Sequence, residues 1–240
     1  MEVTNYLLGY KNLKIIQNTE WFNFSLDSVL LANFVTIRSN TRKIVDLGTG
    51  NAPIPLILST KTKAKIYGIE IQKELYELAI RSVQINNLDE KIQVLNDDAK
   101  KLDNIFDNDT IDVITVNPPY FKANGKSLMN INNCKTIARH EVMLEIDDVL
   151  HVAKKILRNN GILGIVHRPE RLIEILDKMH THNIEPKRIR FVYSKSSTEC
   201  NLVLIEGTKN GNEGLKILPP LFVYDDKGNY TDEVRKMFGE

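Results

Sequence analysis

Apolar residues along the chain follow two periods that take turns. Short runs rich in Ile, Val and Leu, namely KIVDLGTG (43–50), KIYGIE (65–70), KIQVLNDD (91–98), IDVITVN (111–117) and GILGIVH (161–167), predict buried strands. Between them the apolar positions recur at helical spacing. APIPLILST (52–60) starts a helix with prolines in its first turn, where a missing N–H does no harm. A helix over 72–86 places Leu75, Leu78, Ala79 and Val83 on one face and stops at Asn86-Asn87. A further helix is built on Ile146, Val149, Leu150, Ala153 and Leu157 and ended by Asn159-Asn160-Gly161. RPERLIEILDKMH (168–180) is the next helix, and RIRFVYS (188–194) and NLVLIEG (201–207) are close enough to pair antiparallel. Alternating strands and helices predict an α/β fold, a mostly parallel sheet covered on both faces, with a hairpin at one edge.

Open sheets of this kind bind ligands where their strands end, near the switch point of the winding. Every polar motif of note falls at such an end. Asp46, Gly48, Gly50 and Asn51 close the first of the parallel strands, where glycines let the backbone turn tightly and approach a ligand. Glu70 ends the second, where a carboxylate can accept from ribose hydroxyls. At the end of the third, Asp98-Ala99 is the place for an acidic side chain and a backbone N–H facing an adenine edge, with Asp97 as a near competitor and turn formation as the plain alternative. The third glycine of a dinucleotide fingerprint is missing, since Pro53 stands in its place. That disfavours NAD and suits a nucleoside cofactor without phosphates, S-adenosylmethionine. Asp46 is suited either to meet the methionyl ammonium or to brace the loop.

The fourth strand stops at Asn117-Pro118-Pro119-Tyr120-Phe121. Two prolines lack donors and fix φ, so they end the ladder at once. The Asn117 side-chain oxygen and the Pro118 carbonyl are two acceptors for the hydrogens of a planar amine, and Tyr120 can stack on the ring that carries it. An ordinary strand terminator is the bland alternative, because Asn-Pro opens many turns.

Composition narrows the class without choosing the chemistry. The 240 residues are 42% hydrophobic and 26% charged, as in a folded globular protein. No basic start followed by an apolar stretch suggests a signal peptide, no run is long enough for a membrane span, and Cys134 and Cys200 have no Cys-x-x-Cys partner. A cytoplasmic protein without a metal site is therefore expected. The net charge of +1 is uneven, because residues 120–199 carry 14 Lys and Arg against 9 Asp and Glu. The basic segment directly follows the proline stop. His140 is read as a loop-fixing group and His180 and His182 as solvent-facing. Trp21, Phe22 and Phe24 are read as core packing, with a cover over the methionyl end of the cofactor as the alternative, and Tyr193 as sheet-edge structure.

DLGTGNAPIPL, GIEIQ, DDA and NPPYF, in this order, resemble the Rossmann-type S-adenosylmethionine methyltransferases that modify exocyclic or amide nitrogens. WFNFSLDSVLLANF, TIARHE, HRPERLIEIL and the tail from residue 201 extend the likeness to the bacterial methyltransferases acting on the adenine 3′ of the anticodon in a valine tRNA. The resemblance implies a seven-stranded sheet with its last strand antiparallel. It also implies that Asn117, Pro118 and Tyr120 hold the adenine and that Asp46, Gly48, Glu70 and Asp98 hold the cofactor; Gly50, Asn51, Ala99 and Asn117 are further candidates for that site from their places at the strand ends. Phe121, Lys122, Lys126, Lys135 and Arg139 are the expected RNA contacts on a substrate loop over 121–144, with a merely solvated loop as the plain alternative for the basic residues.

The expected organisation is an N-terminal segment over 1–40 packed on the core, a methyltransferase domain over 41–210 and a tail over 211–240. The expected partner is the anticodon loop of a tRNA, with no membrane and no obligate protein partner. Methylation of a release-factor glutamine uses the same clamp, as does amino-methylation of rRNA or DNA. A cofactor-binding RNA chaperone without turnover is the alternative outside enzymes.

Overall fold

The computed structural model describes residues 1–19, 26–118 and 144–238. Its first strands, β1 (Glu2–Leu7) and β2 (Tyr10–Asn18), form an antiparallel hairpin of their own. The main sheet is built from β3 (Lys43–Leu47), β4 (Lys65–Ile69), β5 (Ile92–Leu95), β6 (Ile111–Val116), β7 (Leu157–His167), β8 (Ile184–Tyr193) and β9 (Cys200–Lys209). Two-residue strands β10 (Lys216–Ile217) and β11 (Leu221–Phe222) add to the outer side of β8. The helices are α1 (Leu26–Phe34), α2 (Pro53–Ser59), α3 (Lys73–Gln84), α4 (Ile146–Ile156), α5 (Leu172–Thr181) and α6 (Asp232–Met237).

Sheet order is β10-β8-β9-β7-β6-β3-β4-β5, with β11 also beside β8. β3, β4, β5, β6 and β7 pair in parallel, and β9 runs antiparallel to both β7 and β8. The chain therefore winds outwards from β3 through β4 to β5, then returns to place β6 on the other side of β3. The switch point lies between β3 and β6, at the strand ends that carry the glycine turn and Asn117.

Both sheet faces are covered, which explains strands that are apolar at successive positions rather than alternate ones. Ile44, Val113, Ile162 and Leu204 face the core shared with α1, α2 and α3, while their neighbours Val45, Ile114, Leu163 and Ile205 face the core shared with α4 and α5.

The α/β class and the seven strands expected from the periodicity and the resemblance are present, with the antiparallel strand in its expected role. Three features differ. The N-terminal segment holds a hairpin, seated by Ile15 and Leu7 in the core and by Ile16 N donating to Ser82 Oγ at 3.0 Å. The tail after residue 210 adds the two short strands because Leu221, Val223, Val234 and Phe238 are apolar enough to bury against the sheet edge. β7 begins at Leu157 rather than 161, with a register shift through the turn in which Asn160 adopts a left-handed φ of 61°.

Tyr193, read as sheet-edge structure, instead lies between two strands, paired with Cys200 of β9 and with Phe222 of β11, because the tail covers the outer side of β8; its ring is 5.6 Å from that of Phe222. His182 does not face solvent freely, since Nε2 approaches Asp147 at 3.8 Å. Among the described residues no helix is long and apolar enough to cross a membrane, and no group of His, Cys, Asp and Glu could hold a metal ion.

Candidate active site

β5, β4, β3 and β6 are neighbours, so the residues just beyond them form one row along the sheet edge. With strands about 4.8 Å apart, the row from Asp98 through Glu70 and Gly48–Gly50 to Asn117 spans about 14 Å. The described part of each strand-end motif expected from sequence falls in this row.

The glycine turn leaves β3 with Gly48 at φ 64° and Gly50 at φ 58°. Both values lie in the left-handed region that glycine enters without steric cost. A Cβ built on either glycine would meet nothing within 4 Å among the described residues, so there the turn borders open space. Three contacts hold it in shape. Thr49 N donates to Ile69 O at 2.9 Å, Gly50 N donates to Glu70 Oε2 at 2.8 Å, and Asn51 Nδ2 donates to Ile16 O at 2.8 Å. Asn51 is thus tied to the N-terminal hairpin and is 7% exposed.

Beneath the turn lies Asp46, 1% exposed. Its two carboxylate oxygens accept from Thr49 Oγ1 and Thr115 Oγ1, each at 2.6 Å, which links β3, its turn and β6. Gly68 makes room for this, because a Cβ there would meet Thr49 Cγ2 at 2.9 Å. Burial raises the Asp46 carboxyl to about 7, against the lowering effect of the two hydroxyls and with the neighbouring Glu70 charge adding to the rise. Of the two roles open to Asp46, these contacts perform the bracing one.

Glu70 is 4% exposed, and burial also raises its carboxyl, opposed by the N–H groups of Gln72 and Gly50. Gln72 N donates to Oε1 at 2.9 Å. Two buried carboxyls below an open turn favour a cation above them and disfavour a phosphate. The start of α2 agrees, since Pro53 and Pro55 remove two donors from a first turn that would otherwise serve an anion. The residues present therefore fit a cationic nucleoside cofactor of the S-adenosylmethionine kind better than a dinucleotide.

At the end of β5, Asp98 Oδ1 accepts from Lys100 N at 3.0 Å and starts the helical turn Ala99–Asn104, so the turn-forming role is present; Ala99 is buried. Asp97 Oδ1 accepts from Asp98 N at 2.7 Å. Asn96 reaches back to Glu70 O at 2.8 Å and joins the ends of β5 and β4. At the end of β6, Asn117 is half-buried and Pro118 buried. The Asn117 amide nitrogen donates to Ser28 Oγ of α1 at 3.1 Å.

Pro119, Tyr120, Phe121, Lys122, Lys126, Lys135, Arg139, His140 and Cys134 lie outside the described residues, as do Trp21, Phe22 and Phe24. Sequence reasoning missed Ser28, Thr49, Thr115 and Gly68. The strand periodicity hid Thr115, and Ser28 has no motif of its own.

Residues 38–213 match a family described as a methyltransferase domain. Across 95% of both chains, the sequence is 23% identical to a Flavobacterium psychrophilum protein named tRNA1(Val) (adenine(37)-N6)-methyltransferase. The fold is similar to a crystal structure from Agrobacterium tumefaciens described as a predicted O-methyltransferase. That likeness has a TM-score of 0.72 at 20% identity and covers 89% of this chain and 95% of the other. It is also similar to a geranyl diphosphate methyltransferase in complex with SAM, with a TM-score of 0.56 at 13% identity over 76% of this chain and 84% of that one.

Proposed function

Because the chain belongs to the methyltransferase-domain family, we propose that it transfers a methyl group from S-adenosylmethionine to the 6-amino group of an adenine in tRNA, the one 3′ of the anticodon in a valine tRNA. The observation that carries this reading is Asn117 at the end of β6, in the same row as the glycine turn and with its amide nitrogen held by Ser28. The name borne by the relative of equal span supports the choice of substrate.

S-adenosylmethionine supplies an electrophilic methyl on a sulfonium. The chain's own residues do the rest. Gly48 and Gly50 leave room for the cofactor, and Glu70 at the end of β4 is assigned to accept from its ribose hydroxyls. Asp46 and Glu70 below the turn favour the cofactor's positive charge. The adenine amine is a poor nucleophile because its lone pair is delocalised into the ring. Accepting its two hydrogens through Asn117 Oδ1 and the Pro118 carbonyl draws that pair out of the ring and towards the methyl. Such positioning is worth about 7–11 kcal/mol where donor and acceptor are well aligned, so no strong base is required. The N–C bond would form as the sulfonium S–C bond breaks to leave the neutral thioether, and the proton shed by the methylated amine would pass to water.

Tyr120 is assigned to stack on the adenine, and Phe121, Lys122, Lys126, Lys135 and Arg139 to contact the RNA. An anticodon-loop adenine is already unpaired, so the enzyme has no duplex to open.

Nucleoside mass spectrometry of tRNA from cells with and without the gene tests the proposal. Loss of one N6-methyladenosine from a valine tRNA is expected, and its reappearance after treatment with purified protein and cofactor. Methyl label appearing only in protein, on a release-factor glutamine, would replace this reading with its nearest rival.

A further inference from the structure

We infer that Ser28 is a positioning residue for Asn117, anchoring one end of its amide so that the other end is held towards the substrate. The inference deepens the amine-methylating reading above and rests on it. Asn117 Nδ2 donates to Ser28 Oγ at 3.1 Å across 89 positions of sequence, and Ser28 is 5% exposed. A side-chain amide has a donor end and an acceptor end of nearly the same shape, exchanged by half a turn about the last bond. An amine brings hydrogens, so only the oxygen end can take one. With the nitrogen held at Ser28, covalent geometry makes the oxygen the opposite end.

The place of Ser28 is set by how α1 is mounted. Val29, Leu30, Leu31 and Ala32 are fully buried. Gly164 of β7 lets the helix lie close, because a Cβ there would meet Val35 Cγ2 at 3.0 Å and Leu31 Cδ1 at 3.4 Å. Beyond the helix end, Thr36 N and Oγ1 donate to the Glu206 carboxylate at 2.7 and 3.0 Å, and Arg188 approaches the same group at 3.2 Å. Lys61 Nζ donates to Ala32 O at 3.0 Å. A helix clamped at its far end and pressed onto β7 thereby delivers its first turn to the end of β6. Alanine at position 28 would favour the helix itself, so the hydroxyl answers to Asn117 rather than to α1.

Three variants of the full chain test this: Ser28→Ala, Ser28→Thr and Ser28→Ala combined with Asn117→Ala. Ser28→Ala is expected to lower kcat about tenfold, the worth of one net hydrogen bond, with the KM for tRNA and the cofactor Kd unchanged and the melting temperature lowered by no more than the loss of that one bond accounts for. Ser28→Thr, which keeps the hydroxyl, restores most of the rate. In the Asn117→Ala background the Ser28 change costs nothing further. An equal loss in that background, a loss confined to cofactor affinity, or an unaltered kcat would overturn the inference.

A second readout needs no substrate. Hydrogen exchange at the 15N-labelled Asn117 side-chain amide is expected to be slower in the wild type than in Ser28→Ala. If that response is seen while no RNA is methylated, the substrate reading fails and the anchoring stands. Unchanged exchange removes the anchoring whatever the substrate.

Discussion

Gly50 N donates to Glu70 Oε2 at 2.8 Å, so the turn after β3 is fastened to the carboxylate that ends β4. The pair places backbone flexibility and negative charge side by side at the sheet edge. Removing the carboxylate loosens the turn and takes away an acceptor. Glu70→Ala is expected to weaken cofactor binding by about 10- to 100-fold, the range for a hydrogen bond to a charged group, as read by isothermal titration calorimetry.

Asp46 makes stability depend on pH. Its folded carboxyl titrates near 7 against 3.8 for the free group, so the folded state binds more protons between those values. By linkage, its contribution to stability is fully present below about 4 and is lost as pH rises towards 7. Burial raises Glu70 in the same direction. The cofactor-free protein should therefore lose melting temperature between pH 5 and pH 8, and Asp46→Asn should flatten that loss. A cationic cofactor favours the ionised carboxyl, so binding near neutral pH should release protons. Calorimetry in buffers of different ionisation enthalpy measures that release.

The two glycines can be told apart from ordinary turn glycines. At Gly50 an alanine would pay about 1–2 kcal/mol for the left-handed conformation, yet its Cβ would meet no atom of the described residues within 4 Å. Gly50→Ala is expected to lower stability by about that amount and cofactor affinity by at least tenfold. Paired thermal-melt and binding measurements decide it, and an affinity equal to wild type would show that the open space is not the cofactor's.

Asn51 should behave differently from its glycine neighbours. Its side chain satisfies the Ile16 carbonyl from within the core, and leaving such a group unpaired costs about 1–3 kcal/mol. Asn51→Ala should destabilise the protein and detach the hairpin, seen as faster hydrogen exchange in β2, more than it weakens the cofactor. The opposite ranking would make Asn51 a ligand contact.

Strands β3 to β7 were legible because both sheet faces are covered, which gathers their apolar residues into short runs and leaves β6, Ile111–Val116, buried at every position. The motifs at their ends were legible because glycine, carboxylate and Asn-Pro-Pro each stop a strand in a recognisable way. The hairpin β1–β2 was not, because β1 is largely exposed and carries little periodicity. The short strands β10 and β11 depend on an edge that only the folded sheet provides. Thr115 reads as one more β-branched strand residue and Ser28 as one more polar helix residue. Each acquires a role only through a partner more than 60 residues away, Asp46 or Asn117.

The account turns on the Asn117 amide as an acceptor for the target amine, and single-turnover methyl transfer to valine tRNA by Asn117→Ala measures that most directly. The rate is expected to fall about 10²- to 10³-fold, the effect of losing one preorganised polar contact, with cofactor affinity retained. A variant that methylates tRNA at the wild-type rate would contradict the account.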